Sequence, residues 1–217
     1  MDYYERYWKG ELNTEKGSQN KPPDWNDDSA FRKIINLSKN LIKGNVLDAG
    51  CGDGNFLIRL KKLYPDLTYF GFDISAIAVE LAKKNAPFAE IRQASFDDLS
   101  CYKDNFFDVI ILSEVIEHLL DVELTLKELN RILKIDGLII ITTTDFNWLK
   151  KVLIAAFVFD KYFYPTNPHI RFFTKKTLQS VLEKNGFKVH KYQWNGSYFH
   201  IMPKGQIVIA KKQKDLS

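Results

Sequence analysis

The stretch that decides the fold reads Val46-Leu47-Asp48-Ala49-Gly50-Cys51-Gly52-Asp53-Gly54-Asn55-Phe56. It begins with apolar residues, passes through the acid Asp48, and then has glycine at every second position. This pattern predicts a buried strand, a tight turn and then a helix, because glycine adopts positive φ readily and lets a ligand approach the main chain. The G-x-G-x-G spacing differs from the G-x-G-x-x-G of dinucleotide sites, and no G-K-S/T follows it. A nucleoside ligand without a pyrophosphate is therefore favoured.

The bulk composition is that of an ordinary globular chain. Its 217 residues are 45% hydrophobic and 27% charged, with a formal net charge of +4, so we expect one large domain. The basic residues are scattered, which argues against a nucleic-acid partner. Cys51 and Cys101 lack metal-ligand spacing, the N-terminus is polar, and no apolar run approaches the ~20 residues of a membrane helix. These features predict a reduced, cytoplasmic protein without a membrane span.

Segments of strand and helix character alternate along most of the chain. Strands are predicted at residues 46–49, 67–72, 88–94, 107–112, 138–144, 187–194 and 206–210. Helices are predicted at residues 31–42, 56–64, 75–86, 123–133 and 174–184. No helix separates the last two strands. The alternation predicts an α/β, doubly wound, mainly parallel seven-stranded sheet with helices on both faces and an antiparallel last strand.

A carboxylate, Asp73, follows the second strand about 20 residues after the glycine loop. In doubly wound sheets, ligands bind at the carboxyl ends of the strands, near the point where the strand order reverses. Asp73 could accept hydrogen bonds from both hydroxyls of a ribose, or it could cap the helix that begins near Ser75. The glycine loop upstream favours the ribose.

Together these motifs resemble the class I S-adenosylmethionine-dependent methyltransferases. Five segments are similar to the family's motifs, in the same order: residues 46–56 (first motif), 69–75 (second motif), 93–99 (adenine-contacting segment), 106–110 (fourth strand) and 133–138 (the L-K-P-G-G turn). In the turn, Ile135 and Asp136 replace Pro and Gly. The likeness covers residues 30–210, and it implies S-adenosylmethionine as the cofactor.

The resemblance also implies roles for particular residues. Asp48 would orient the glycine loop and bind the methionine ammonium group, a cation that needs a nearby carboxylate, and Asp73 would hold the ribose. Because many relatives have Asp at the position of Ser95, neighbouring Asp97 is a second candidate for the contact to adenine. The other cofactor-binding residues implied are Gly50, Cys51, Gly52, Gly54, Phe56, Ile74, Phe96, Ser113 and Glu114.

A cluster of ionisable residues, Glu114-Val115-Ile116-Glu117-His118, follows the fourth strand. On a helical turn Glu114, Glu117 and His118 would share one face, and this mixture of carboxylates and imidazole suits Mg²⁺ or Mn²⁺. E-x-x-E-H resembles the ubiquinone-pathway O-methyltransferases and the small-RNA 3′-terminal 2′-O-methyltransferases. The second group adds a histidine downstream, for which His169 is the candidate here.

The same cluster has two interpretations without a metal. His118 and Glu117 could be catalytic on the acceptor side, with His118 taking the proton of an acceptor hydroxyl. Alternatively, the cluster could serve only packing or capping.

Two segments lie outside the alternating pattern. Residues 1–30 form an N-terminal aromatic segment whose Tyr and Trp side chains would either fold over the cofactor as a lid or remain a tail. The methyltransferase domain would then span residues 31–212. Within it, residues 145–173 form an apolar insert, for which core packing is the default interpretation. A lid over an apolar acceptor, and a membrane-surface or dimer contact, are the alternatives.

The main hypothesis is a methyltransferase similar to the ubiquinone-pathway O-methyltransferases. It would transfer a methyl group from S-adenosylmethionine to a small-molecule acceptor, at oxygen. One alternative is a metal-dependent RNA 3′-terminal 2′-O-methyltransferase that uses Glu114, Glu117, His118 and His169. The other is a non-catalytic S-adenosylmethionine-binding partner subunit. The sequence does not predict the acceptor's identity or the oligomeric state.

Overall fold

The computed structural model describes residues 3–11, 28–165, 167–196 and 203–216, so most of residues 12–30 of the predicted lid lie outside it. In chain order its elements are α1 (Tyr3–Trp8), α2 (Asp28–Ser38), β1 (Asn45–Ala49), α3 (Asn55–Leu63), β2 (Thr68–Asp73), α4 (Ala76–Asn85), β3 (Glu90–Gln93), β4 (Phe107–Ser113), α5 (Val122–Ile132), β5 (Leu133–Thr144), α6 (Trp148–Leu153), α7 (Phe159–Tyr162), α8 (Lys175–Lys184), β6 (Phe187–Asn195) and β7 (Gly205–Lys212). A 3₁₀ turn (Ile116–His118) follows β4, and a π-helical segment (Ile154–Val158) joins α6 to α7.

The strands form one seven-stranded sheet in the order β3-β2-β1-β4-β5-β7-β6. Strands β1 to β5 pair in parallel, and β7 is antiparallel to both β5 and β6. The predicted doubly wound sheet with an antiparallel last strand is therefore confirmed. The strand order reverses between β1 and β4, so the carboxyl ends of these two strands border the crevice in which such sheets bind ligands.

The core lies on both faces of the sheet. Neighbouring residues of β1 point to opposite faces, so Val46 joins one hydrophobic cluster and Leu47 the other. On β4, Ile111 and Leu112 divide in the same way. All four side chains are fully buried, which explains why these central strands are apolar throughout instead of alternating with polar residues.

Several element boundaries differ from the sequence prediction, among them the start of β5, the end of α2 and the length of β3. The chain enters β5 at Leu133, directly after α5, whereas a turn was predicted up to residue 137. A register break opposite β4 and a left-handed Asp136, at φ 59°, accommodate these extra residues within the strand. Helix α2 ends at Ser38 and not at residue 42, because Asn40 is left-handed at φ 66°. Strand β3 is four residues long and shorter than predicted, spanning only Glu90–Gln93.

Core packing, the default interpretation of the apolar insert, holds for Phe146, Ile154 and Phe173, which are buried, but not for most of its helical residues. Across α6, the π-helical segment and α7, only Lys150 and Ile154 are buried. Trp148 and Phe157 are 74% and 79% exposed. None of the helices in the described parts of the chain has the length and apolar character needed to cross a bilayer.

Candidate active site

The glycine loop between β1 and α3 is held against the end of β2. The N–H groups of Gly50 and Cys51 both donate to the carbonyl oxygen of Phe72, at 2.9 Å each. All three loop glycines have positive φ, between 51° and 80°. A Cβ added to Gly50 would lie 2.8 Å from Cγ2 of Val115, so no larger residue fits without displacement. The loop therefore presents bare main chain beside the segment that follows β4.

The Asp73 carboxylate joins this loop to the start of α4. Its Oδ2 accepts from the N–H of Gly52 at 3.0 Å, and its Oδ1 accepts from the N–H of Ser75 at 3.0 Å. Burial raises the pKa of Asp73, and the donated N–H bonds oppose that rise. Each carboxylate oxygen has a further lone pair, so the geometry leaves acceptors for two hydroxyl groups of a ligand.

Asp48 lies at the end of β1 with only 3% of its surface exposed. Burial, together with the neighbouring carboxylates Asp73 and Asp53, raises the pKa of Asp48 to about 7. The field at this point is negative, which suits a bound ammonium group. The cavity beside the carboxylate is lined by residues of the glycine loop, the start of α3 and the end of β4, namely Asp48, Gly50, Cys51, Asp53, Asn55, Phe56 and Ser113.

The loop after β3 carries the residues predicted to contact adenine. Phe96 packs edge-on against Phe72, with 4.8 Å between the ring centroids. Ser95 Oγ accepts from the N–H of Asp97 at 3.3 Å and lies 3.4 Å from its carboxylate, so the two candidates for the adenine contact form one polar turn. Ile74, the residue after Asp73 in β2, remains 43% exposed.

Helix α1 lies over the glycine loop. A Cβ added to Gly52 would lie 2.8 Å from Cζ2 of Trp8. Glu5 Oε1 accepts from the N–H of Ala76 at 2.6 Å, at the first residue of α4. Sequence reasoning missed Glu5, because 71 residues separate it from its partner and no local pattern marks the pair. It also left Asp53 and Asn55 unassigned, although both lie inside the motif.

The predicted single face of Glu114, Glu117 and His118 is wrong. Glu114 is left-handed at φ 56°, and its N–H donates to the carbonyl oxygen of Thr142 on the neighbouring strand at 3.1 Å. It therefore belongs to the end of the sheet, while Glu117 and His118 lie on the separate 3₁₀ turn.

The Glu114 and Glu117 carboxyl groups remain neighbours in space, and Glu117 also meets two histidines. One ligand atom from each of Glu117, His118 and His169 lies within 4.8 Å of the others. The segment that carries His169 is docked through the main chain, because the N–H groups of Ile170 and Arg171 both donate to the carbonyl oxygen of Glu117 at 3.0 Å. The rings of His118 and His169 meet edge-on, 4.8 Å apart.

One hydrogen bond of His118 shows which ring nitrogen carries the hydrogen and which keeps its lone pair. Nδ1 lies 2.9 Å from the carbonyl oxygen of Pro168. A carbonyl oxygen only accepts, so Nδ1 carries the hydrogen and Nε2 keeps its lone pair in the neutral ring. On the other side, the ring of Tyr4 from α1 lies edge-on at 6.4 Å. His118 is therefore close to the helix that also contacts the glycine loop.

Burial disfavours the charged forms of Glu117, His118 and His169. Both carboxylate oxygens of Glu117 are buried and make no hydrogen bond of good geometry among the described residues, and the Glu114 carboxyl group and the Thr143 hydroxyl lie nearby. Burial, together with nearby Glu114, holds the pKa of Glu117 well above its ordinary value. Burial also lowers the pKa of His118, and it lowers the pKa of His169 to about 4, with contributions from His118 and Lys150. Neutral imidazoles can accept a proton or bind a metal ion.

Comparison with known proteins identifies the family of this chain. A family model described as a methyltransferase domain matches residues 24–192. The chain belongs to this family, and it is a member of the class I S-adenosylmethionine-dependent methyltransferases.

Its curated relatives include ubiquinone biosynthesis O-methyltransferases. The protein of that name from Pelagibacter ubique is 30% identical over 179 residues, covering 78% of this chain and 71% of the relative. The human mitochondrial protein is 29% identical over 167 residues, covering 70% of this chain. The chain spans less than half the length of the human and bovine proteins, at 43% and 41%.

Solved structures share the fold. A SAM-dependent methyltransferase of Methanosarcina mazei aligns with a TM-score of 0.65 at 22% identity, covering 80% of this chain and 95% of that one. The [4+2]-cyclase SpnF aligns with a TM-score of 0.66 at 16% identity, covering 86% and 81%. Because this fold also supports a cyclase, the reaction has to be argued from the site.

Proposed function

We propose that this chain transfers the methyl group of S-adenosylmethionine to a hydroxyl oxygen of a small-molecule acceptor. The observation that carries the proposal is His118, whose ring is neutral and whose Nε2 is free, on the turn next to the glycine loop. The contact between Val115 and the position of Gly50 joins these two halves of the site. The names of the relatives support oxygen as the accepting atom.

The residues around the loop fit the cofactor. The bare glycine backbone admits a closely packed ligand, Asp48 offers a buried carboxylate to the methionine ammonium, and Asp73 offers acceptors to the ribose. When bound, S-adenosylmethionine supplies a methyl group on a positively charged sulfur, which is reactive without further activation. The remaining assignments of the proposal are Gly50, Cys51, Gly52, Gly54, Phe56, Ile74, Ser95, Phe96, Asp97, Ser113 and Glu114.

On the acceptor side the chain has to orient a hydroxyl group and remove its proton. His118 Nε2 would accept that proton, while the Nδ1–H bond to Pro168 holds the ring in place. A positive charge on His118 would favour ionisation of nearby Glu117, whose carboxylate would then stabilise the imidazolium ion. A positioned base of this kind typically contributes about 10²–10⁴ in rate, and alignment of the reactants adds to it.

We also propose that residues 1–30 act as a lid on the domain formed by residues 31–212, because Trp8 packs on Gly52 and Glu5 caps α4. Substitution Trp8→Ala is expected to weaken cofactor binding by about tenfold, since it removes a large apolar contact over the loop. Calorimetric titration of the full chain measures this. Trp194→Ala, which changes an exposed tryptophan on β6, is the matched control and leaves binding unchanged. Unaltered affinity in Trp8→Ala would argue against the lid.

A second candidate function is the metal-dependent RNA 3′-terminal 2′-O-methyltransferase, and one specific observation favours a metal. Glu117, His118 and His169 combine an orphaned, buried carboxylate with two neutral imidazoles, which is a donor set suited to a divalent transition metal. These three residues would hold the ion, with Glu114 adjacent, and the ion would act as a Lewis acid toward an acceptor oxygen. The scattered positive charge offers little for an RNA partner.

One experiment separates the candidates. Methyl-tritiated S-adenosylmethionine is incubated with the protein and fractionated cell extract, with EDTA, with Mg²⁺ and with Mn²⁺. We expect label in small molecules that can be extracted into organic solvent. Label in RNA that disappears with EDTA would favour the second candidate. Saturable cofactor binding without any transfer would favour a non-catalytic partner subunit, and the absence of binding would overturn all three. The cytoplasmic location stays a prediction, and the human relative is named as mitochondrial.

A further inference from the structure

In the helices of the insert, a charged side chain is buried while apolar side chains are exposed. Along α6, the buried side chain is Lys150, whose ammonium donates to the carbonyl oxygen of Asp145 at 2.9 Å. The neighbouring apolar side chains point outward, and Trp148 and Val152 are 74% and 55% exposed. Water-facing helices usually have the opposite arrangement, with apolar residues toward the core. This inversion indicates that something other than water covers the surface.

The exposed apolar side chains continue through the insert. Phe157 in the π-helical segment and Phe159 at the start of α7 are 79% and 54% exposed. Phe146, Phe163 and Phe172 form an aromatic cluster with centroid distances of 5.0–6.3 Å, which packs the two ends of the insert together. These ends are held on the sheet, because the N–H of Asp145 donates to the carbonyl oxygen of Lys204 and Gln206 Nε2 donates to the carbonyl oxygen of Phe173. The exposed apolar side chains therefore lie on a segment that is held in place, as expected of a surface that binds a partner.

The charges at this surface indicate the kind of partner. Apart from the buried Lys150, residues 148–164 contain two lysines and a single acid, Asp160. Lys151 and Lys161 are exposed alongside the aromatic side chains. A second copy docked symmetrically on the same face would bring lysines against lysines, which is unfavourable. An anionic lipid surface complements both the charge and the apolar area, and aromatic residues with lysines are typical of helices that lie in a bilayer interface.

The end of the insert also links α7 to the cluster formed by Glu117, His118 and His169. Asn167 Nδ2 donates to the carbonyl oxygen of Tyr162 at the end of α7, and Asn167 Oδ1 accepts from the N–H of His169. Next to the cluster, Leu120 and Ile170 are 81% and 43% exposed. Arg171, which follows Ile170, links the Ile170 segment to Leu120, because its guanidinium donates to the carbonyl oxygen of Leu120 at 2.6 Å. The apolar surface thus borders the acceptor side of the site.

We propose that an insert face, formed by Trp148, Lys151, Val152, Phe157, Phe159 and Lys161, docks peripherally on a lipid bilayer that contains anionic lipids. The aromatic side chains enter the headgroup region, and the lysines contact lipid phosphates. No helix spans the bilayer in this arrangement. The inference goes beyond the proposed function and does not depend on it, since it concerns where the protein sits and not what it methylates.

The test is cosedimentation of the full chain with vesicles of phosphatidylcholine, with or without phosphatidylglycerol. We expect binding to the mixed vesicles to exceed binding to neutral ones by about tenfold. Trp148→Ser combined with Phe157→Ser should lower binding to the mixed vesicles by about tenfold or more. Lys151→Glu combined with Lys161→Glu should remove the preference for phosphatidylglycerol. Both double variants change exposed side chains, so their melting temperatures should match the wild type.

Trp194→Ser is the matched control, because it removes another exposed tryptophan, on β6, and should leave vesicle binding unchanged. Brominated phosphatidylcholine in mixed vesicles should quench the fluorescence of the wild type more than that of Trp148→Phe. Absence of binding to mixed vesicles, or equal binding by the aromatic double variant, would overturn the proposal. Light scattering that shows a dimer dissociated by the aromatic substitutions, without lipid binding, would identify a second copy as the partner instead.

Discussion

Substitution His118→Ala is expected to lower kcat by about 10²–10⁴-fold while the dissociation constant of S-adenosylmethionine stays within about twofold. The imidazole has a lone pair on Nε2 and lies on the acceptor side of the glycine loop, so its loss affects proton removal and not cofactor contacts. Single-turnover transfer of labelled methyl groups measures the first quantity, and equilibrium titration with cofactor measures the second.

The matched control for this substitution is His190→Ala, because His190 is exposed on β6. Both quantities should remain at wild-type values in that variant. Glu117→Gln tests the supporting carboxylate: it keeps the shape of a buried side chain whose pKa is already raised, so we expect a folded protein with reduced turnover. Wild-type turnover in His118→Ala would exclude His118 as base and as metal ligand alike.

Substitution Asp48→Asn is expected to weaken cofactor binding by about 10–100-fold and, at the same time, to stabilise the free protein. The first effect follows from losing the charge that would bind the methionine ammonium. The second follows from burial, which raises the pKa of Asp48 from 3.8 to about 7. The difference between these two pKa values corresponds to a cost of about 4 kcal/mol for the ionised carboxylate in the fold.

The raised pKa of Asp48 determines how the stability of the folded protein changes with pH. Below about pH 4, Asp48 is protonated in both states and the cost is absent. Between about pH 4 and pH 7 the unfolded chain releases this proton while the folded chain retains it, so stability falls as pH rises. Above about pH 7 the full cost remains. Asp48→Asn should therefore remove this contribution and raise the melting temperature most at neutral and higher pH.

Thermal melts of the free protein across this pH range measure the effect. Asp66→Asn changes an exposed aspartate after α3 and is the matched control, with the wild-type pH dependence expected. If Asp48→Asn melts below the wild type at pH 8, the interpretation of Asp48 as a strained, buried acid is wrong. A gain in stability together with a loss of cofactor affinity would identify Asp48 as a residue kept for binding at the expense of stability.

The sheet and the cofactor loop were accessible from sequence because their signals are local. Continuous apolar runs mark strands covered on both faces, and the spacing of Gly50, Gly52 and Gly54 marks a turn that requires positive φ. Ser75 and Thr174, the first residues of two predicted helices, cap those helices by accepting N–H bonds from the first turn. Such patterns involve neighbours within a few residues, so they do not depend on how distant segments meet.

The insert shows where periodicity is insufficient. An apolar, amphipathic pattern favours burial, yet here it is Lys150 that is buried, while Trp148 and Phe157 face outward. Hydrophobicity indicates that a surface will be covered, but it does not indicate whether the cover is the chain's own core or another body. In the same way, the spacing of Glu114, Glu117 and His118 fits one helical face, and only the left-handed Glu114 shows that no such face exists.

By itself, the sequence determined the class of fold and the cofactor-side motif, because strand patterning, glycine spacing and the acid after β2 act over short stretches of chain. Only the tertiary structure showed which residues lie together at the proposed acceptor side. The bond from His118 to Pro168 spans 50 residues, and His169 and Glu5 reach the site from other elements. Contacts of that range depend on how the insert and α1 dock on the sheet, and that packing has no signature in any single segment of the sequence.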